Sequence, residues 1–251
     1  MSSDMSEHKK AVGEYAAERF IDSGMRVGLG TGSTAVHFIR RLGELIADGD
    51  ISDIRGVSTS SQSLLEARAA GIGVFDLDDP AVDGELDIVV DGADEVDPQR
   101  NLTKGGGGAL LMEKIVAHAA RRVVIVCDEA KLVEHLGIGF PIAVEIVREA
   151  RLTASRAIQR LGGRPQLRLA QRKMGAVITD GGHMILDVAF ERPFDPVAME
   201  AEINAIPGVV ENGLFTRCNP HVIVARTDGE FSEMKPAQRS AQGPAQRPTN
   251  R

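Results

Sequence analysis

Short apolar runs that alternate with helical stretches, polar residues at the ends of several of those runs, and a change of rhythm near residue 140 predict an α/β protein. The expected architecture is a Rossmann-like open, mostly parallel sheet carrying an inserted, smaller ferredoxin-like α+β domain. Residues 1–137 and 212–227 would form the main domain, 138–211 the small one, and 228–251 a disordered tail whose end is rich in Gln, Pro, Ser and Arg.

Ala11, Tyr15, Ala16 and Phe20 recur at helical spacing and predict an opening helix, stopped by Asp22, Ser23 and Gly24. MRVGLG (25–30) reads as a strand and AVHFIRRLGELI (35–46) as a helix. The alternation continues through strand RGVSTS (55–60), helix SLLEARAAG (63–71), strand GVFDL (73–77) and strand LDIVVDGAD (86–94). Helix ALLMEKIVAHAARR (109–122) follows, with Leu111, Ile115 and Ala119 on one apolar stripe, and then strand VVIVCDEA (123–130). From Phe140 the order becomes β-α-β-β-α: FPIAVEIV, ARLTASRAIQRLGG, GAVITD, MILDVAF and a helix near VAMEAEINAI. HVIVART (221–227) is expected to return to the main sheet as its last strand.

Composition narrows the function. Hydrophobic residues make up 43% and charged ones 26% of 251 residues, enough to bury a substantial core. No apolar run approaches the roughly 20 residues that a membrane-spanning helix needs, and residues 1–20 hold no signal-peptide-like apolar stretch. No membrane partner and a cytoplasmic location are therefore expected. A net charge of −7 and a pI near 5.4 oppose general nucleic-acid binding. With no Trp and one Tyr, ligand recognition must rest on hydrogen bonds and charge. Cys127 and Cys218 lack C-x-x-C spacing and read as reduced structural thiols. The six histidines show no metal-ligand spacing, and no G-x-S-x-G nucleophile elbow occurs.

Three segments carry candidate chemistry. Gly28-Leu29-Gly30-Thr31-Gly32-Ser33-Thr34 joins a strand to a helix, where free backbone N–H groups attract an anion. Ser33 stands where a dinucleotide fingerprint needs glycine, so Thr31, Gly32, Ser33 and Thr34 suit a monophosphate or sugar oxygens; a tight capped turn is the plainer alternative. The hydroxyl run Ser58-Thr59-Ser60-Ser61 lies at a second predicted strand end. Asp91-Gly92-Ala93-Asp94-Glu95-Val96-Asp97 crowds carboxylates at a strand end, which is costly unless something uses them. The segment does not fit a calcium loop; a solvated loop is the plainer reading, and acceptance of hydrogen bonds from sugar hydroxyls by Asp91 and Asp94 the functional one. Lys104-Gly105-Gly106-Gly107-Gly108 is not a phosphate-binding Walker loop, because its lysine precedes the glycines. Four glycines are costly in chain entropy inside a compact domain and suggest close approach of backbone to a ligand. Glu113 falls just beyond them, near the positive end of a helix.

Taken together, GLGTGSTA (28–35), DGADEVD (91–97), KGGGGALLMEKI (104–115) and INAIPGVVENGLF (203–215) resemble, in order, the A-type ribose-5-phosphate isomerase family over about residues 8–226. RCNPHVIVA after GLF departs from the pattern. The resemblance implies interconversion of an aldose and a ketose phosphate, with Glu113 as the base. It also implies substrate contacts from Thr31 to Thr34, Asp91 to Asp94, Lys104 to Gly107 and Lys131, and a phosphate contact from Lys9 or Lys10, of which Lys9 is the closer match. Within it, Lys104 would stabilise an enediolate, Asp91 would assist ring opening and Asp94 would orient hydroxyls. A small sugar-phosphate partner, no metal, no cofactor and a homo-oligomer, commonly a dimer, are its remaining implications.

Overall fold

The structure, a computed structural model, describes residues 2–237. The chain opens with α1 (Ser2–Phe20), then alternates through β1 (Arg26–Leu29), α2 (Ala35–Ala47), β2 (Arg55–Ser58), α3 (Ser61–Ala69) and β3 (Ile88–Asp91). Two short strands, β4 (Glu95–Val96) and β5 (Leu102–Thr103), precede α4 (Leu110–Ala119) and β6 (Val123–Asp128). Next come β7 (Ile142–Ile146), α5 (Arg151–Arg160), β8 (Arg164–Leu167), β9 (Met184–Ala189), α6 (Pro196–Asn204) and β10 (Val209–Asn212). The chain then returns through β11 (Leu214–Phe215), β12 (His221–Ala225) and β13 (Phe231–Met234).

The main sheet has the order β13-β12-β6-β3-β1-β2, and every pairing in it is parallel except that of β13. Alternate residues of each central strand face opposite layers, as the pleat requires. Val27, Ile88, Val90, Val124, Val126 and Ile223 pack under α1 and α2, whereas Val89, Ile125, Cys127, Val222 and Val224 pack with Val116 and Ala117 of α4. Both faces are thus covered. The strand order reverses between β1 and β3, which opens a crevice beyond their carboxyl ends.

The second sheet, ordered β10-β7-β9-β8, is antiparallel and carries α5 and α6 against one face, the expected ferredoxin-like arrangement. A third sheet, β11-β5-β4, was not foreseen; its strands are two residues long and give no periodic signal.

Three expectations require correction. GVFDL forms a single bridge, Val74 to Gly56, because a turn at Asp76–Asp79 carries the chain away from the sheet edge. GAVITD forms only isolated bridges, since its end enters the tight turn that Gly182 N–H closes on Thr179 O. The expected tail starts too early: a hairpin at Asp228-Gly229, closed by Arg226 N–H on Glu230 O at 2.9 Å, leads into β13. Asp-Gly between alternating residues is a hairpin signal, and Phe231 stacks on Tyr15 with ring centroids 4.8 Å apart. The remainder of that tail, 238–251, lies outside the described residues.

Helix α4 also turns differently from its sequence pattern. Its buried face is Leu110, Glu113, Lys114, Val116 and Ala117, while Ile115 is 39% exposed. Charged residues go inside because each finds partners there. Lys114 Nζ donates to Glu200 Oε1, Glu211 Oε1 and Asn212 O at 2.8 Å each and to Leu214 O at 2.7 Å, tying α4 to the antiparallel unit. Removing one partner of a buried ion pair leaves uncompensated charge. Lys114→Met is therefore expected to destabilise the protein by about 3 kcal/mol or more, read as a lowered urea midpoint; an unchanged midpoint would contradict this role for Lys114.

Candidate active site

The crowded acidic strand end resolves into four carboxylates with separate donors. Glu95 accepts from Thr103 Oγ1 (3.1 Å), Gly137 N–H (2.8 Å) and Phe140 N–H (3.1 Å), and Asp97 accepts from the backbone and side-chain nitrogens of Asn101 at 2.8 Å each. Both are structural. Asp91 and Asp94 face the crevice side of the same segment. Asp91 Oδ1 accepts from Thr31 N–H (3.0 Å) and Gly92 N–H (2.7 Å), which joins the tips of β1 and β3. Gly30 permits that approach: a Cβ there would lie 2.5 Å from the Asp91 Cα. Asp94 Oδ2 accepts from Gly106 N–H at 2.7 Å, bringing the glycine run against the acidic loop.

Lys104 enters from the end of β5, its backbone N–H held by Gly213 O at 2.9 Å. Its ammonium uses all three donors: on Asp91 Oδ2 (3.0 Å), Glu113 Oε1 (3.1 Å) and Gly92 O (2.6 Å). The three side chains are only 4–6% exposed. Burial alone would lower the pKa of Lys104, but the Asp91 and Glu113 carboxylates outweigh it and hold the ammonium charged, above its ordinary range. Glu113 sits in the first turn of α4. Its Oε2 is buried without a hydrogen-bond partner. Loss of hydration pushes the carboxyl up to about 7, opposed by Lys104 and reinforced by Asp91. A base with one oxygen held and one unpartnered, titrating near neutrality, suits general acid–base work.

Glu113 and Lys104 lie at the floor of a cleft of about 120 Å³. Thr31, Gly32, Ser33 and Thr34 line one wall, Gly92, Ala93 and Asp94 another, and Gly105, Gly106 and Gly107 a third. Lys9, from α1, and Lys131, from the short 3-10 turn after β6, reach the same space. Lys9 Nζ also lies 3.2 Å from Ser33 Oγ. Every site residue singled out in the sequence therefore converges here, with one difference in depth. Asp91 lies beneath the cleft, both of its oxygens engaged, and is not part of the lining. The second hydroxyl run supports the wall from behind, Thr31 Oγ1 meeting Thr59 Oγ1 at 2.7 Å and Ser60 Oγ at 2.6 Å. Thr34, the residue before α2, makes no side-chain cap, so backbone donors at that helix start face no internal acceptor from it.

A larger concavity, about 500 Å³, opens at the amino ends of β6 and β12 and holds none of these groups. Cys218 lines it, and Cys127 is buried in the sheet; burial pushes both thiols up, to about 11 and about 12, as expected of inert cysteines. Among the described residues no helix is long and apolar enough to cross a membrane.

Crevice, half-held glutamate and buried ammonium suit an α/β enzyme that moves protons on a small anionic substrate. Residues 55–229 match the family model described as ribose 5-phosphate isomerase A (phosphoriboisomerase A). The ribose-5-phosphate isomerase A of Treponema denticola is 42% identical over 238 residues, 92% of this chain and 100% of that one. The solved ribose 5-phosphate isomerase A of Methanocaldococcus jannaschii superposes with a TM-score of 0.85 at 41% identity, covering 91% of this chain and 98% of the other. A D-ribose-5-phosphate isomerase in complex with phospho-erythronic acid gives a TM-score of 0.87 at 42% identity and the same coverage. The chain belongs to the ribose 5-phosphate isomerase A family.

Two outcomes test the site's geometry. With Glu113 titrating near 7, kcat/KM for isomerisation should fall about tenfold per pH unit below that point, because protonation removes the base; a profile flat down to pH ~5, near the ordinary carboxylate range, would contradict it. Gly30→Ala should force β1 and β3 apart at Asp91 and lower kcat, read by steady-state assay; unaltered kcat would mean the close approach is not needed.

Proposed function

We infer that this enzyme interconverts D-ribose 5-phosphate and D-ribulose 5-phosphate through an enediolate, as a step of the non-oxidative pentose phosphate pathway. The observation that carries the reading is Glu113: one carboxylate oxygen held by Lys104, the other unpartnered, at the floor of a cleft walled by hydroxyls and glycines. The relative that binds phospho-erythronic acid supports it. That ligand pairs a phosphate with a planar carboxylate, which resembles the two oxygens of an enediolate.

The phosphate end is assigned to Thr31–Thr34, the start of α2 and Lys9, with Lys131 as a second cation. Asp94, which lines the cleft, takes the sugar hydroxyls and the proton exchanged when the furanose ring opens. Asp91 acts chiefly through Lys104, because entering the substrate's contact shell requires one of its present bonds to give way. In the open aldehyde Glu113 removes the proton from C2. The C–H electrons form the C1–C2 double bond, and charge passes to O1 beside the Lys104 ammonium. Glu113 then returns the proton to C1; O2 gives up its hydroxyl proton as the ketone forms, and O1 gains one. No redox partner is required. We assign the cleft to the main domain, 1–137 and 212–234, backed by the small domain 138–211, in a cytoplasmic homodimer.

Glu113→Gln should lower turnover of ribose 5-phosphate by at least about 10²–10⁴-fold while calorimetry shows similar affinity for the sugar phosphate. Wild-type turnover in that variant would sink the assignment. A coupled assay should favour ribose 5-phosphate over allose 6-phosphate and glucosamine 6-phosphate; preference for either hexose would reassign the substrate.

A further inference from the structure

The glycine run is gripped from behind by a side chain of the antiparallel unit. Arg168 follows β8, its backbone N–H bonded to Ile185 O and its carbonyl accepting Val177 N–H, both at 2.9 Å. On one edge its guanidinium meets Asp187 of β9: Nε lies 2.9 Å from Oδ2, and Nη2 donates to Oδ1. The remaining nitrogen, Nη1, donates to Gly105 O at 2.9 Å and Gly106 O at 3.2 Å. The two side chains are 17% and 26% exposed, and neither lines the cleft. Asp187 orients the guanidinium, which leaves its outer edge to hold the loop. Only a rigid fork of donors serves a carboxylate and two carbonyls at once.

One peptide plane is therefore held from both sides. The carbonyl of Gly105 and the N–H of Gly106 belong to the same peptide group and point in opposite directions. Arg168 and the Gly108 N–H, at 2.9 Å each, hold the carbonyl, and Asp94 holds the N–H at 2.7 Å. Gly105 has φ +102°, a conformation that glycine adopts without steric cost, so sterics do little to stop this peptide from turning over and the hydrogen bonds on its two sides must hold it. Reversal would aim a carbonyl at the Asp94 carboxylate and shift the backbone that carries Lys104.

We propose that Arg168, oriented by Asp187, is a positioning residue for isomerisation: it locks the Gly105–Gly106 peptide so that Asp94 and Lys104 keep the geometry the sugar requires. The proposal rests on the reading that the Lys104–Gly107 loop and Asp94 contact substrate. Because Arg168 neutralises Asp187 and stays out of the cleft, its contribution is to loop geometry and not to the charge felt by the sugar.

The test compares wild type with Arg168→Ala, Arg168→Lys and Glu113→Gln by steady-state kinetics and thermal unfolding. Arg168→Ala is expected to lose about 10²-fold in kcat/KM, the scale of a misplacement near 1 Å. Dilute guanidinium chloride should restore part of that loss where matched sodium chloride does not. A purely structural role would not respond this way, since guanidinium weakens folding in general. Arg168→Lys keeps the charge but cannot span three acceptors, and it should show most of the loss with an unfolding midpoint near that of wild type. Wild-type kcat and KM in Arg168→Ala, or in Arg168→Lys if the alanine variant does not fold, overturn the proposal. With Glu113→Gln inactive, such a result removes only the Arg168 role; a fully active Glu113→Gln removes the underlying reading instead.

Discussion

A lysine ammonium buried between two carboxylates is the constraint on which the rest of the site depends. Lys104 Nζ is shared by Asp91, Glu113 and the carbonyl of Gly92, with almost no solvent to replace any of them. Two buried carboxylates at one site would repel and protonate without that cation, and the cation alone would be too costly to bury. Three elements must therefore meet within hydrogen-bond distance: the end of β3, the end of β5 and the first turn of α4. The unforeseen three-stranded sheet helps to make them meet, because β5 is paired on both sides as it delivers Lys104. The Phe215 ring on β11 lies 5.8 Å from the Lys104 ammonium and 4.8 Å from that of Lys114, a shared apolar floor under both.

The two neighbouring charges on α4 show how environment divides labour. Lys114 is surrounded by four acceptors and has no capacity left, so it fastens one layer to another. Glu113 is buried as deeply but keeps one oxygen unsatisfied, at a cost in stability. The same desolvation that makes this position unfavourable brings its pKa near neutrality, where a carboxylate is basic enough to take a proton from carbon and acidic enough to return it. Asp91 touches the same lysine through one oxygen and accepts backbone N–H groups with the other, so it has no oxygen free.

Much of this was legible in the sequence wherever a local rule has a chemical cause. The polar tip after β1, the carboxylate cluster after β3 and the four-glycine run, all singled out in the sequence, line the crevice. Glu113 was visible from its distance to the glycines. Sequence gave less where the deciding partner is remote in the chain. The depth of Asp91 follows from Gly30 and Lys104, and the inward turn of α4 follows from Glu200 and Glu211, which periodicity within residues 109–122 does not contain. Two-residue strands such as β4, β5 and β11 leave no pattern to read. The hairpin at Asp228-Gly229 did carry a signal, masked by the polar composition that follows it.

In this mechanism a glutamate carries a proton between two carbons of the sugar in a cleft open to solvent. Isomerisation in deuterium oxide, followed by nuclear magnetic resonance of the sugar over many turnovers, reads that transfer. Deuterium should accumulate at C2 of ribose 5-phosphate and at C1 of ribulose 5-phosphate, because a proton on the Glu113 carboxyl exchanges with solvent before some of the returns to carbon. Complete conversion to equilibrium with no deuterium at either carbon would mean that hydrogen moves directly between them, and would contradict the role of Glu113.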